Sequence, residues 1–371
     1  MSSAVLNIRE NGTLTHQVAR TLSRQHSMQF VELYVSDVCP LSCRHCFHAD
    51  VRSIDPPLSS QEWELVVNQS IDLGVRHFHL AGREPFAADV TLSLLEHFAN
   101  IRKGLDFTFG AITNGISCRP HLNAIKQSGL DYLEISVDGL ADSHEFLRGR
   151  HTYTRVLSAV AAALAALGDD RLSTATTLYK GNVGHITEII DVLGQLGVRR
   201  FFFQPLARMG YARWLGHVFI DGYQYRQAIL QVREMLRARE SHHPAIAVMF
   251  YVPPGMVRPV CVGNKWLEQS LMKCLSAGEA TSVHGHSYLQ LDFDIIRVPF
   301  WRNLIVTEDG YLLDHCSSRS TQAYIEASIG NIRRTPLVVL LQRCRARALE
   351  HVLTTRGLGL AGESGQARYP A

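Results

Sequence analysis

The chain has 371 residues, 46% of them hydrophobic, and a formal net charge of +3. That length allows two or three domains, or one barrel-sized domain with an addition, around a large apolar core. So small a net charge argues against nucleic acid or a membrane surface as partner.

The first residues carry no charged stretch followed by an apolar run, so no signal peptide is expected. Val156 to Leu167 is the most apolar stretch. It falls short of the ~20 residues that cross a bilayer, and a cytoplasmic protein is expected. Eight cysteines in such a chain point to metal or redox chemistry rather than a disulfide framework.

Residues 1–28 are polar and mixed, with Asn11-Gly12 as a candidate hairpin turn. Phe30 to Val35 predicts a buried strand that feeds the loop VSDVCPLSCRHCF. A helix is predicted from Ser59–Ser60 to about Leu73, stopped by Gly74. Strand and helix then alternate. Strands are predicted at His77–Ala81, Phe107–Ile112, Tyr132–Val137, Leu172–Leu178 and Arg200–Gln204. Helices are predicted at Val90–Ile101, Pro120–Ser128, Tyr153–Leu167 and Val183–Leu196. Six apolar strands joined by helical crossovers imply a parallel sheet covered on both faces. Six units are too few for a full eight-stranded barrel. The fold expected is α/β: a partial (β/α)6 barrel or an open wound sheet over 29–210, then a smaller α+β domain over 211–353.

In that second part, Gln224–Arg239 reads as a helix and Ala245–Tyr251 as a strand. Residues 255–286 read as irregular, and Ser287–Pro299 as a strand or hairpin. A hairpin over Leu304–Leu313 turns at Glu308-Asp309-Gly310, and a last helix spans about Pro336–Leu353. The tail, 354–371, is Gly-rich and polar.

Cys39, Cys43 and Cys46 form C-x3-C-x2-C directly after the first strand. Three thiolates on one loop suit a [4Fe–4S] cube with one iron left open. Zinc is the alternative, but a structural zinc site wants four ligands. Functional groups collect at the carboxyl ends of parallel strands. Polar or glycine-containing breaks stand there after strands two, three, four and six: AGREPF (Ala81–Phe86), TNG (Thr113, Asn114, Gly115), SVDG (Ser136–Gly139) and Gln204-Pro205. Taken singly each could be an ordinary turn or a helix cap.

In this order and spacing, over roughly residues 28–206, the motifs resemble the radical S-adenosylmethionine (SAM) superfamily. The resemblance implies that Cys39, Cys43 and Cys46 hold a [4Fe–4S] cluster whose open iron is chelated by SAM. One electron would then cleave the sulfonium bond, and the 5′-deoxyadenosyl radical would abstract a substrate hydrogen atom. It implies a SAM site built from His45 and Phe47 beside the third cysteine, Gly82, Arg83, Glu84 and Pro85 at the amino group, and Thr113 and Asn114. Ser136, Asp138 and Gln204 complete it, with Arg148 pairing the SAM carboxylate. Two departures stand out: His45 where an aromatic residue is usual, and Arg83 in place of a second glycine. If position 83 needs positive φ, Arg costs about 1 kcal/mol there; if it supplies only backbone contact, Arg is tolerated.

NLIVTEDGYLLDHC and SIGNIRRTPLVVLLQRC are similar to the SPASM and twitch extensions of the same superfamily, which carry auxiliary clusters. Cys261, Cys274, Cys316 and Cys344 could make one such site, or could be leftovers of a domain that has lost its cluster. Cys118 reads as a packed residue, and His284 with His286 as a solvated loop. Tyr225, Asp314 and His315 are weaker candidates near a substrate.

The implied activity is modification of a peptide side chain by crosslinking, epimerisation or oxidation. A dehydrogenase or epimerase of a small sugar or antibiotic precursor is the second reading, and a non-catalytic Fe–S or zinc scaffold the third. Expected partners are the peptide or small-molecule substrate, a flavodoxin- or ferredoxin-type electron donor and a separate leader-binding protein, with neither nucleic acid nor membrane.

Overall fold

A computed structural model describes residues 30–48, 51, 53–239, 243–277, 281–284, 287–293, 303–313, 328–344 and 346. The first half follows the alternation read from the sequence: β1 (Phe30–Ser36), α1 (Ser60–Asp72), β2 (His77–Gly82), α2 (Val90–Ile101), β3 (Thr108–Thr113), α3 (Leu122–Gln127) and β4 (Tyr132–Ser136). Next come α4 (Ala141–Arg148), α5 (Tyr153–Leu167), β5 (Leu172–Leu178), α6 (Ile186–Leu196) and β6 (Arg200–Pro205). The start of α1 shows why local chemistry sufficed. Ser59 accepts from the Glu62 N–H, and the Glu62 carboxylate reaches back to the Ser59 N–H, satisfying two orphan donors at once.

Some elements were not foreseen. Helix α4 lies where the sequence showed only HEFLRGR, because eight residues are too few to display a period. Residues 255–286, expected to be irregular, instead hold helices α8 (Pro254–Cys261) and α9 (Lys265–Ala277) and strand β8 (Thr281–His284). Pro254 stands at the first position of α8, where a proline lacking an N–H is tolerated. Between these parts lie α7 (Gly222–Ala238) and β7 (Ala247–Val252), and after them β9 (Ser287–Phe293), β10 (Asn303–Val306), β11 (Tyr311–Leu313) and β12 (Ser328–Asn331). Residues 337–344 are helical. The Asn11-Gly12 turn, Asp314, His315, Cys316 and His286 lie outside the described residues.

Among the described residues the strands form one sheet in the order β12-β11-β10-β1-β2-β3-β4-β5-β6-β7-β9-β8. Pairing is parallel from β10 through β9 and antiparallel at both edges. The six expected strands are its centre, and the sheet runs on past residue 210 through β7. The later hairpin β10–β11 returns to lie against β1, in register Leu33 with Val306.

Alternation along the strands gives the sheet two faces. Val31, Leu33, Phe78, Leu80, Phe109, Leu133 and Ile135 pack under the helices in the main core. The opposite, inner face carries a small apolar cluster of Tyr34, Ala81, Ile112, Ile305 and Tyr311. It also carries a polar group: His79 Nδ1 lies 2.9 Å from the Tyr132 hydroxyl with the rings stacked. Tyr132 lies flat over Gly110, where any Cβ would strike its ring. No helix among the described residues is long and apolar enough to cross a membrane.

Candidate active site at the carboxyl rim

The cysteine loop leaves β1 and is fastened on three sides. The Arg44 N–H donates to the Leu147 carbonyl at the end of α4 (2.8 Å), and the Tyr211 N–H donates to the Cys46 carbonyl (3.0 Å). The Arg83 guanidinium donates to the carbonyls of His48 (2.6 Å) and Val51 (2.8 Å). Position 83 therefore uses its side chain as a brace. The positive φ of this turn sits at Gly82 (112°), and Arg83 is not among the residues with positive φ, so it bears no such strain. A Cβ on Gly82 would also lie 2.8 Å from the Ser36 carbonyl, so β2 can end this close to β1 only with glycine.

Glu84 turns inward and is buried. Its carboxylate accepts from the Thr113 hydroxyl (2.7 Å), the Asn114 N–H (2.7 Å) and the Phe86 N–H (3.2 Å). Burial pushes its pKa up to about 7 against these three donors. This one side chain joins the second and third rim motifs. Asn114 holds its own turn by accepting from the N–H groups of Ile116 and Ser117, and its amide nitrogen lies 4.0 Å from Cys39 Sγ.

The centre of the site is Asp138, which is fully buried. Its Oδ2 accepts from Arg148 Nε at 2.5 Å and lies 3.3 Å from His45 Nε2, while Oδ1 accepts from the Thr177 N–H at 2.8 Å. Its own N–H donates to His144 Nδ1 (3.1 Å), and Asn182 donates to its carbonyl (3.1 Å). Burial by itself would raise Asp138, but Arg148, His45, His144 and the Thr177 N–H hold its carboxyl below the ordinary value. Burial lowers His45, partly offset by Asp138. Helix α4 makes this possible, since it carries both His144 and Arg148 back to the end of β4. His144, Thr177 and Asn182 were missed from the sequence because no motif marks them; each gains its role only when β4, α4 and β5 meet.

Ser136 is buried at the end of β4, and Gln204 lies in register with Thr177 at the end of β6. Phe47 is partly exposed, 3.9 Å from the His48 ring, which packs edge-on against Tyr34. Burial, reinforced by Arg83, takes His48 down to about 3, so it is neutral. Cys118 is packed as expected, with its thiol on the Gly115 carbonyl and its pKa pushed by burial to about 12. Tyr225 is buried against the carbonyls of Phe203 and Tyr251.

The three loop cysteines are half-buried, and burial raises each thiol, Cys43 to about 11. Arg148 opposes this at Cys43 and Cys46, Arg83 at Cys46, and the Leu41 N–H (3.4 Å) at Cys39. Among the described residues no three His, Cys, Asp or Glu side chains converge on a single ion. A cubane does not ask for that, because each thiolate takes a different corner. The donor set fits such a group: three soft sulfurs on one loop, close to two guanidinium groups. The rim also fits a polar ligand beside it, since His45 Nδ1, His48 Nε2 and His144 Nε2 are buried with no hydrogen-bond partner.

Of the four C-terminal cysteines, Cys261 and Cys344 are buried in the main core. They sit on elements at opposite ends of the sheet order, Cys261 on α8 after β7 and Cys344 after β12. Cys274 falls within α9.

A mostly parallel sheet with a three-cysteine loop and an acid- and arginine-bearing rim forms a partial-barrel domain whose donor set suits a cluster and a small polar ligand. Residues 33–193 match the family profile described as the radical SAM superfamily. The chain is similar to the PqqA peptide cyclase of Rhizobium meliloti (strain 1021), 28% identical over 241 residues covering 64% of this chain and 62% of the relative. It is also similar to that of Methylorubrum populi, 26% identical over 256 residues covering 66% and 63%. The chain thus spans somewhat less than two thirds of these relatives. Among solved structures, Streptococcus suis SuiB bound to S-adenosylmethionine matches 87% of this chain and 68% of its own, with TM-score 0.61 and 16% identity. The structure of anSMEcpe with bound AdoMet matches 84% and 79%, with TM-score 0.60 and 13% identity. These show the same fold.

Proposed function

We propose that this chain cleaves SAM reductively and uses the product to modify a peptide side chain. The observation that carries the reading is the rim itself. The loop bearing Cys39, Cys43 and Cys46 is bonded directly to the elements that bear Arg83, Glu84, Asp138 and Arg148. When bound, the cluster supplies the electron that breaks the sulfonium bond of SAM, and the deoxyadenosyl group then takes a hydrogen atom from the substrate.

The side chains of this protein bind and orient. Arg148 presents a guanidinium to the SAM carboxylate, and Asp138 fixes its direction. Glu84 holds the backbone of the Gly82–Pro85 turn at the amino group. Ser136, Thr113, Asn114 and Gln204 offer polar groups on the same rim, and Phe47 an aromatic face. The inner face of the sheet, with His79, Tyr132 and Glu134, lies below and takes the substrate side chain. A peptide is favoured because the relatives of known activity are peptide cyclases and SuiB has been seen with its precursor peptide SuiA. An electron donor and a leader-binding protein belong to the same proposal.

The test is anaerobic reconstitution with iron and sulfide, then dithionite and SAM. The wild-type chain should bind about four irons at the loop and release 5′-deoxyadenosine. The variant with Cys39, Cys43 and Cys46 all changed to Ala should release none and bind nearly no iron, because Cys261 and Cys344 are buried among apolar side chains of the main core. A wild type that makes no deoxyadenosine sinks the reading. Residual iron near four per chain in the variant would establish an auxiliary cluster instead.

A further inference from the structure

Glu134 carries a charge that the protein itself does not answer. It stands on β4 between Ile112 of β3 and Ser173 of β5, on the face of the sheet turned away from the main core. The two acids of the rim are satisfied: Asp138 has Arg148, and Glu84 has three donors. The Glu134 carboxylate has no hydrogen bond or ion pair among the described residues, although it keeps some contact with solvent. Burial alone raises it to about 7, so no cation of this chain stands near enough to hold it down. A carboxylate withdrawn from water without a partner is costly, and a cation that reaches it restores the charged form.

Its surroundings suit a cation with a long apolar stem. Toward the start of the strands, Tyr132 lies flat over Gly110, and its ring is nearly parallel to that of His79, with centroids 5.7 Å apart and planes at 12°. Phe30 continues the row at 6.2 Å from His79. Aromatic faces attract cations. Burial takes His79 down to about 4, so the row itself carries no positive charge. Glu32 lies in register with His79 and, together with Glu134, acts on the Tyr132 phenol. Toward the rim the character changes. Ala175, Phe202 and Met249 stand in register, level with Ser136, and the last two are half-exposed. From Ser136 to Glu134 is two residues of strand, about 7 Å, which is the reach of a lysine or arginine side chain.

We propose that this face receives a cationic side chain of the peptide substrate, a lysine or arginine, with its charged end on the Glu134 carboxylate beside the Tyr132 ring and its methylenes along Ala175, Phe202 and Met249. This occupant presupposes the peptide-modifying reading above and names the side chain that the reading leaves open. Three features meet in one place to support it: an unpaired carboxylate, an uncharged aromatic row beneath it and an apolar row between it and the rim. A neutral side chain of the same length would leave Glu134 unpaired, and an acidic one would be repelled, so the site discriminates by charge rather than by size.

The experiment is a calorimetric titration of the full reconstituted chain, with SAM present and no reductant. The probes are capped pentapeptides Ac-Gly-Gly-X-Gly-Gly-NH2 in which X is lysine, arginine, norleucine or glutamate. The wild type should bind the lysine or arginine peptide about tenfold or more tightly than the norleucine peptide. E134Q keeps the size of the side chain and removes its charge; it should bring those affinities within about twofold of each other while binding norleucine as the wild type does. E134K should invert the order in favour of the glutamate peptide. E188Q, remote and exposed on α6, should keep the wild-type preference. Equal affinities in the wild type, no binding of the cationic peptides at the highest soluble concentration, or a preference that survives in E134Q would each overturn the proposal. Dithionite added to the same samples keeps it apart from the reading beneath it. No 5′-deoxyadenosine from the wild type removes the radical SAM reading, whereas product without a preference for cationic peptides removes only this site.

Discussion

Asp138 shows how much one side chain can organise. It has no solvent contact, yet it faces Arg148 and His144 of α4, His45 of the cysteine loop and the Thr177 N–H of β5, three separate pieces of chain. A buried charge is tolerable only when paired and hydrogen-bonded, and here every oxygen has a donor. Glu134 is the contrast. It projects from β4 on the inner face, with Ile112 and Ser173 opposite it in register, and burial alone pushes its pKa up to about 7. A raised carboxyl pKa means that the folded chain holds the proton more tightly than the unfolded one. Its contribution to stability is then present at low pH and lost as pH rises from about 4.5 through about 7. Glu134→Gln should remove that loss. Because Glu134 keeps some contact with solvent, the expected difference between pH 5 and pH 8 is on the order of 2 kcal/mol. Urea unfolding of both proteins at the two pH values measures it, and equal pH slopes would contradict it.

At the scale of elements, the cysteine loop has little regular structure of its own. Its position is set by neighbours: β2 through Arg83, α4 through Leu147, and the segment after β6 through Tyr211. Gly210 is the most sensitive of these contacts, with φ +51° and backbone atoms of Cys46 and Phe47 where a side chain would go. Gly210→Ala should push the segment off the loop. The cost expected is roughly 1–3 kcal/mol, in line with overpacking against backbone. Thermal unfolding together with iron per chain after reconstitution checks this. The cluster content should drop more than the melting temperature alone implies, because the displaced group touches Cys46 itself. A variant with unchanged iron and unchanged stability would show that the contact is dispensable.

For the whole molecule, the division near residue 210 has to be set against a sheet that crosses it. β7 pairs with β6, and β10 pairs with β1, so both flanks of the six-stranded centre are covered by later parts of the chain. The second cover is firmly tied. Asp309, buried in the β10–β11 turn, accepts from the Ile54 N–H at 2.8 Å, and Arg333 pairs with Glu62 on α1. A fragment of residues 30–210 would expose two apolar strand edges, which are templates for aggregation. Expressed alone, it should elute as aggregate in size-exclusion chromatography, whereas the full chain should not. A well-behaved monomeric fragment would show that the centre folds without its flanks.

The parallel sheet, most element positions and the rim motifs were legible because each rests on local rules. Apolar alternation, caps such as Ser59–Glu62, and glycine at Gly82 act within a few residues. Helices α8 and α9 and the short α4 were not legible, because packing rather than a visible period stabilises them. The sequence by itself determined the candidate site residues: three thiols on one loop, with Glu84, Asp138 and Arg148 after their strands and helix. Only the tertiary structure decided how they are joined. That Arg83 braces the loop, that Asp138 holds Arg148 and that Gly210 rests on Cys46 are contacts between segments far apart in the chain, which no local pattern encodes.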